Sequence, residues 1–428
     1  MKEYSFAYGD GSVTLPLEES QVRAVLFGNE IPALPDIRAA VRKSLDEPIG
    51  RAPLRDCIRA GNNAALIISD MSRFWMRQDL VVPHLVDYLL DDCGLAAEDL
   101  TILVANGTHP GGGEKELRTL VTDAVFDRIR VVNHDCRADD LVTLGTTSFG
   151  TEVAVNGIAA RADLCLCLGA ATYHVMAGFG GGRKSILPGI SGEATIRHNH
   201  ALSLDPVQLR SNPLIGNGRT EDNPLNRDML EAAGMMRDLF MVNLVMNADE
   251  KLCAVFSGHY IKSWERACRE VERVYQVPLK EQTDVVIAGC GGYPRDMSLY
   301  QGTKAIDNVE SALKPGGTLI LVVEAREGGG PAEYFGWSRN LQDGSLEARL
   351  RTAFTVAGYV FFLNCEQARR FRILLLSGID PAETAPMGIE SYADVPSLLA
   401  AAGLEGKSIT VIPRAGSVVP VIVQEREQ

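Results

Sequence analysis

The chain has 428 residues, enough for two or three domains. Hydrophobic residues make up 46% and charged residues 23%, the balance of a soluble globular enzyme. A net charge of −13 argues against a nucleic-acid or anionic-membrane partner. No run approaches the roughly 18 apolar residues that a membrane span needs, and the opening Met1-Lys-Glu-Tyr-Ser-Phe lacks the pattern of a signal peptide. The nine cysteines are scattered, and none forms a Cys-x2-Cys pair. They read as reduced thiols of a cytoplasmic protein rather than as zinc ligands or a disulfide framework.

In chain order, residues 1–30 alternate apolar and polar positions around Gly9-Asp10-Gly11 and predict a β-hairpin. Residues 35–60 predict helix. Ala64–Asp70 is a short buried strand, followed by helical spacing over 79–93. Thr101–Ala105 is the next strand, with Asn106-Gly-Thr-His109-Pro110 as the loop at its end, and Glu114–Leu120 opens a helix. Ile129–Asn133 and Leu164–Leu168 complete a set of strands alternating with helices, the pattern of a parallel sheet with crossover connections. Cys165 and Cys167 alternate with leucines, which puts both on one face of a buried strand. Residues 221–240 and 261–275 predict helix, with Val242–Asn247 and Cys253–Ser257 as a strand pair between them. A second α/β unit begins near Asp284–Gly289 and continues through a helix opening at Leu299 and strands at Thr318–Val323, Arg372–Ser377 and Ser408–Ile412. Residues 325–350 read as irregular. The expected architecture is therefore α/β, with two α/β domains built on mainly parallel sheets: 1–275 for cofactor binding and catalysis, 276–412 for substrate, and a tail of 413–428 packing back on the N-terminal domain. The active site is expected in the cleft between the two domains.

Loops that follow successive parallel strands gather at one edge of a sheet, where α/β proteins bind ligands. Asp70 and Arg73, His109 and His174 each sit just past a predicted strand. The densest chemistry lies between Tyr173 and His200, which holds three of the seven histidines, the glycines Gly178, Gly180, Gly181 and Gly182, and the pair Arg183-Lys184. Glycines let backbone N–H groups approach an anionic ligand, so this loop is a candidate phosphate cradle. It is not a Walker loop, because Arg183 stands where that pattern requires glycine. A lysine in such a loop neutralises phosphate or serves as a covalent anchor. A histidine suits nickel, copper or zinc.

The 173–200 stretch resembles the signature of the nickel-dependent lactate racemase family, which carries a nickel-pincer nucleotide. Three further motifs in the expected order extend the resemblance over most of the chain: Asp70-Met71-Ser72-Arg73, Asn106-Gly-Thr-His109, and Tyr300-Gln301 with Lys304. The resemblance implies that Lys184 is the covalent cofactor anchor and that His200, sixteen residues on, binds nickel. It implies cofactor contacts from Asp70, Met71, Ser72 and Arg73 and from the loop Gly180, Gly181 and Gly182. It makes His109 and His174 the acid–base pair, and it places substrate on Arg73, Tyr300, Gln301 and Lys304. The implied cofactor is the Ni(II)-pyridinium-3,5-bisthiocarboxylate mononucleotide, supplied by cofactor biosynthesis proteins and hence absent from a host that lacks them.

The implied activity is racemisation or epimerisation at C2 of a 2-hydroxy acid by hydride transfer to and from that cofactor. Oxidation to a planar 2-oxo acid avoids deprotonating an unactivated carbon, and the hydride acceptor must come from a cofactor. One departure from the family pattern is Phe74-Trp75 after Arg73, where a proline is common, so a side-chain pocket that differs from that of the lactate enzymes is expected, for a 2-hydroxy acid that is lactate-like or larger. Two other classes remain open: a nickel-independent enzyme acting on a nucleotide or phosphate ester, and a non-enzymatic nickel or cofactor carrier.

Overall fold

The computed structural model describes residues 1–423, and these form two compact units. One consists of residues 30–203 and 213–274. The other gathers residues 1–29, 204–212 and the chain from 275 onward.

The first unit is built on a six-stranded sheet ordered Arg130–Asn133, Leu100–Ala105, Ala64–Ser69, Leu164–Ala170, Leu239–Met246, Leu252–His259. Five strands run parallel, and only Leu252–His259 is antiparallel, to its neighbour Leu239–Met246. The central strands are near-continuous apolar runs because a parallel sheet is covered on both faces. Leu66, Ile68, Ile102, Val104, Leu166 and Leu168 point to one face. There they meet Val41 and Leu45 of helix Ile37–Asp46 and Val82, Leu85 and Leu89 of the 82–92 segment. Truncating a fully buried side chain such as Leu66 to alanine in a core of this kind costs about 2–5 kcal/mol. Cys165 and Cys167 lie on the opposite face, buried and unoxidised, and burial pushes the Cys165 thiol up to about 12.

Strand order reverses beside Ala64–Ser69. The strands that follow it in sequence, Leu100–Ala105 and Arg130–Asn133, lie to one side, and Leu164–Ala170 lies on the other. The crevice at the carboxyl ends of Ala64–Ser69 and Leu164–Ala170 is thus a topological switch point, the position where such sheets bind ligands.

The second unit has its own six-stranded sheet, entirely parallel, ordered Ile389–Tyr392, Arg372–Leu376, Leu313–Val322, Thr283–Gly289, Ile409–Ile412, Val22–Val25. The hairpin Lys2–Tyr8/Gly11–Leu17 forms as its alternation predicts. Its inward residues Tyr4, Phe6, Leu15 and Leu17 close over Val285, Ile287, Ile320 and Val322. The buried Asp296 carboxylate accepts the N–H of Gly9 at 2.7 Å, fixing the hairpin's turn.

The structure redraws the domain limits expected from sequence. Residues 1–29 belong with the C-terminal unit, because Val22–Val25 extends its sheet alongside Ile409–Ile412. The tail also belongs there: Val419–Ile422 pairs in parallel with Gln276–Leu279, giving edge groups a backbone partner within that unit. Residues 424–428 of the expected tail lie outside the described residues. Smaller differences have local causes. The helix expected over 35–60 is two, Ile37–Asp46 and Leu54–Cys57, with Pro48 and Pro53 in or beside the gap. The helix expected to 240 ends at Gly234, and Leu239-Phe240 begin a strand. Residues 325–350, read as irregular, hold short helices at Ser338–Gln342 and Leu346–Thr352.

Candidate active site

Ala64–Ser69 delivers Asp70 to the switch point, and a 3-10 turn at Met71–Met76 carries Ser72 and Arg73 beyond it. Asp70 is nearly buried. Its Oδ2 lies 2.6 Å from His109 Nδ1, and its Oδ1 accepts the Ser72 hydroxyl at 2.6 Å. Arg73 Nη1 in turn donates to Ser72 Oγ at 3.3 Å. Burial alone would raise the Asp70 pKa. The bonds from His109 and Ser72, with the charges of His109 and Arg73, outweigh burial and hold the carboxyl below its usual range. An ionised carboxylate only accepts, so Nδ1 of His109 carries a proton, and the neutral form of the ring has its lone pair on Nε2. The His109 imidazole itself is exposed.

The loop that holds His109 is tied to the glycine-rich segment, since Gly107 N–H donates to Gly189 O at 2.9 Å. Leu164–Ala170 feeds the other side of the crevice, through a two-residue ladder of Tyr173-His174 against Gly178-Phe179. His174 is wired differently from His109. Its Nδ1 accepts the backbone N–H groups of Met176 at 3.1 Å and Ala177 at 3.2 Å. Nδ1 is therefore unprotonated, and the neutral ring presents Nε2–H. Burial, then the charges of Lys184, Arg73, Arg183 and His200, hold His174 well below the usual histidine pKa.

Gly180 and Gly182 are buried and Gly181 half-buried, so the loop is not a flexible surface segment. Gly181 has φ +67°, and a Cβ there would stand 2.8 Å from Ala170 O. Gly182 has φ +54°, and a Cβ there would stand 2.7 Å from the Trp264 ring. Both positions require glycine by conformation and by space. Lys184 follows in the 3-10 turn Gly182–Ser185 and is half-buried. Burial, with Arg183 and Arg73 nearby, drives it toward the uncharged amine.

His198 and His200 lie on helix Glu193–Ala201 and diverge, as a two-residue offset on a helix requires. His198 is exposed, bonded through Nδ1 to Thr151 Oγ1 at 2.7 Å. His200 is buried, and its Nδ1 donates to Ile196 O at 2.9 Å, so the neutral ring carries its lone pair on Nε2. That backbone bond orients the ring as metal-ligating histidines are oriented. Burial, reinforced by Lys184, brings the His200 pKa down to about 3. Among the described residues no group of three or more His, Cys, Asp or Glu side chains is placed to hold a metal ion. His134, beyond the strand Arg130–Asn133, is a packing residue: Nε2 donates to Ser191 O at 2.9 Å, and Nδ1 meets Asn156 Nδ2 at 3.3 Å.

The structure thus brings Asp70, Ser72, Arg73 and His109 into one hydrogen-bonded chain and places Arg73, Lys184 and His200 within electrostatic reach of His174. Met71 is exposed and makes no side-chain hydrogen bond. Phe74 and Trp75, expected to reshape the pocket, are half-buried and pack against the apolar core of the first unit. In the second unit, Tyr300, Gln301 and Lys304 lie on helix Leu299–Val309, capped by Ser298, whose Oγ accepts Gln301 N–H at 3.3 Å. Lys304 Nζ donates to Gln301 Oε1 at 2.9 Å. Tyr334 packs edge-on to Tyr300 with ring centroids 6.5 Å apart, and Asn364 Nδ2 donates to Tyr334 Oη at 2.7 Å. The 330–370 region therefore braces that helix through Tyr334 and Asn364.

One residue of the sequence reading is placed differently, and two escaped it. Arg183, expected beside Lys184 in an anion cradle, turns inward and is fully buried. Trp264 and Asn226, which receive it, come from distant parts of the chain, and no local signal marks them.

The chain matches the family model for the lactate racemase N-terminal domain over residues 8–211 and that for the C-terminal domain over 279–354. It is 30% identical over 346 residues to a lactate racemase of Thermoanaerobacterium thermosaccharolyticum, covering 80% of this chain and 79% of that one. It is 33% identical over 304 residues to a lactate racemase of Lactiplantibacillus plantarum, covering 71% of this chain and 69% of the other. The structure superposes on that of the lactate racemase apoprotein from T. thermosaccharolyticum with a TM-score of 0.87 at 26% identity, covering 98% of this chain and 100% of that one. Sequence, fold and domain order agree: the chain belongs to the lactate racemase family and is an isomerase, a racemase.

Proposed function

We propose that this racemase inverts C2 of a 2-hydroxy acid, lactate or a larger relative, with a nickel-pincer nucleotide anchored on Lys184 and ligated by His200. The observation that carries the reading is the inequivalent wiring of two imidazoles at the carboxyl ends of the sheet. His109 is held by Asp70 with Nε2 as an acceptor, and His174 is held by Met176 and Ala177 with Nε2–H as a donor.

The residues fit the cofactor. Lys184 is driven toward a nucleophilic amine, His200 offers a neutral, oriented Nε2, and two glycines keep the loop open where side chains would clash. When bound, the cofactor supplies the hydride acceptor that no side chain provides. His109 Nε2 takes the hydroxyl proton of the substrate and later returns it. His174 Nε2–H holds the substrate oxygen by a hydrogen bond. For His174 to accept a proton at Nε2 in the opposite direction, its proton must first move to Nδ1, which can then no longer accept the N–H groups of Met176 and Ala177 and has to turn away from them. The cationic groups for the carboxylate are Arg73 and Lys304, with Tyr300 and Gln301 supporting binding. The partners are this small acid and the cofactor biosynthesis proteins. The free, largely buried thiols suit a reducing compartment such as the cytoplasm.

The test is intact mass and nickel content of wild type and Lys184→Ala, each produced with the cofactor biosynthesis proteins. The expected result is a mass gain on wild type alone, with nickel in proportion. No gain and no nickel, while a control racemase is loaded in the same host, would overturn the reading. Turnover of lactate against larger 2-hydroxy acids then identifies the substrate.

A further inference from the structure

Beneath the glycine loop lies a cation with no counter-ion. Arg183 is fully buried, and among the described residues no carboxylate pairs with it. Its Nη2 donates to Ala177 O at 2.7 Å. Its Nη1 reaches Phe179 O at 2.9 Å, Gly181 O at 3.3 Å and Gly180 O at 3.4 Å, and Nε donates to Asn226 Oδ1 at 2.9 Å. The guanidinium lies 3.9 Å over the Trp264 ring, and Trp264 Nε1 donates to Gly180 O at 2.9 Å. Asn226 sits at the start of helix Pro224–Gly234, where Asn223 Nδ2 also donates to Met176 O at 2.8 Å.

A buried, unpaired charge is expensive and survives only where its donors are satisfied by dipoles. Here those dipoles are the carbonyls of the loop itself. Four carbonyls, those of Ala177, Phe179, Gly180 and Gly181, are drawn toward one planar fork, which a lysine ammonium cannot reproduce. Arg183 is also the residue before Lys184, so the fork and the Lys184 side chain share a single 3-10 turn.

We propose that Arg183, clasped between Trp264, Asn226 and the carbonyls of residues 177 and 179–181, is the positioning residue that presents Lys184 to its covalent partner. Arg183 does not touch the cofactor or the substrate. It sets the conformation from which Lys184 reacts. The inference rests on Lys184 being the anchor, and its test separates the two ideas.

Two measurements are made on Arg183→Lys, on Trp264→Phe and on wild type, with folding checked by circular dichroism and thermal unfolding. The first is the fraction of folded protein carrying the cofactor adduct at Lys184 after production with the biosynthesis proteins. The second uses unloaded protein. Each form is treated with a small N-hydroxysuccinimide ester, and the acylation rate of Lys184 is read against exposed Lys43 by peptide mass spectrometry. The proposal expects Arg183→Lys to lower both the adduct fraction and the Lys184/Lys43 rate ratio by about tenfold or more, as loss of a fixed geometry does. Trp264→Phe keeps the ring but loses the donor to Gly180, and should lower both by a smaller factor. Folded variants with wild-type values for both readouts would overturn it. If Arg183→Lys does not fold, Trp264→Phe decides. If wild type carries no adduct, the anchoring reading fails, and the acylation ratio still tests whether Arg183 presents Lys184.

Discussion

Asp70 Oδ2 sits 2.6 Å from His109 Nδ1, and this contact decides which nitrogen of His109 faces outward with a lone pair. Asp70→Asn keeps the shape but offers an amide that can donate to Nδ1, which would leave the proton on Nε2. Racemisation should fall by about 10²–10⁴-fold while the unfolding midpoint stays close to wild type. Initial rates with each enantiomer, read by chiral chromatography, check this. Loss should be greatest for the enantiomer whose hydroxyl proton goes to His109.

The opposite tautomer is expected at His174. Nitrogen-15 spectra of the unloaded protein should show Nδ1 unprotonated and Nε2 protonated, because two backbone donors point at Nδ1. A proton on Nδ1 at neutral pH would remove the donor role assigned to this ring.

Metal and anchor should separate. His200→Ala removes the oriented Nε2 but leaves Lys184 and its loop, so the mass adduct should persist while nickel falls to a small fraction of the wild-type content. Intact mass and metal analysis of one sample give both readings. Loss of the adduct along with nickel would show instead that attachment needs the metal.

On the second unit, Lys304→Ala removes a cation and the partner of Gln301. A charge-assisted hydrogen bond is worth about 1.5–3 kcal/mol, so the KM for the 2-hydroxy acid should rise by about 10–150-fold, with a smaller effect on kcat. A kcat effect larger than the KM effect would place Lys304 in the reaction rather than in binding.

His134 makes the fold sensitive to acid. Burial first, against the Ser191 carbonyl and nearby carboxylates, holds its pKa below the usual value. The unfolded chain takes up a proton near pH 6.5, so stability from neutral His134 is present above that pH and is lost as pH falls through it toward the lowered folded value. Urea midpoints should decline across this window. His134→Asn should flatten the decline and cost about 1–3 kcal/mol at pH 7 from the lost buried bonds.

The carboxyl ends of the strands were legible because parallel strands are apolar runs and the polar residues that end them stand out. Asp70, His109 and His174 all follow such runs. The Gly180–Lys184 loop and His200 were legible through the family resemblance. What the sequence could not show were partnerships made by distant residues. Arg183 looked like an anion-binding cation, since nothing near it in sequence reveals Trp264 or Asn226. Phe74 and Trp75 looked like pocket walls because their strand-end position is visible and their inward turn is not. The placement of residues 1–29 depends on Val22–Val25 pairing with Ile409–Ile412, a contact between strands separated by most of the chain.

That pairing has a consequence for how the molecule comes into being. On the ribosome, the edge strand Val22–Val25 and the hairpin Lys2–Leu17 emerge long before the strands they cover. Residues 30–203 and 213–274 can collapse on their own sheet while the earlier segment stays exposed, with Phe6, Leu15 and Leu17 uncovered until Thr283–Gly289 and Leu313–Val322 arrive. Closing so long a loop is slow, and uncovered strand edges invite wrong pairing while they wait. The second unit is therefore the late and vulnerable one: ribosome stalling or early termination before residue 409 strands a synthesised edge without its mate.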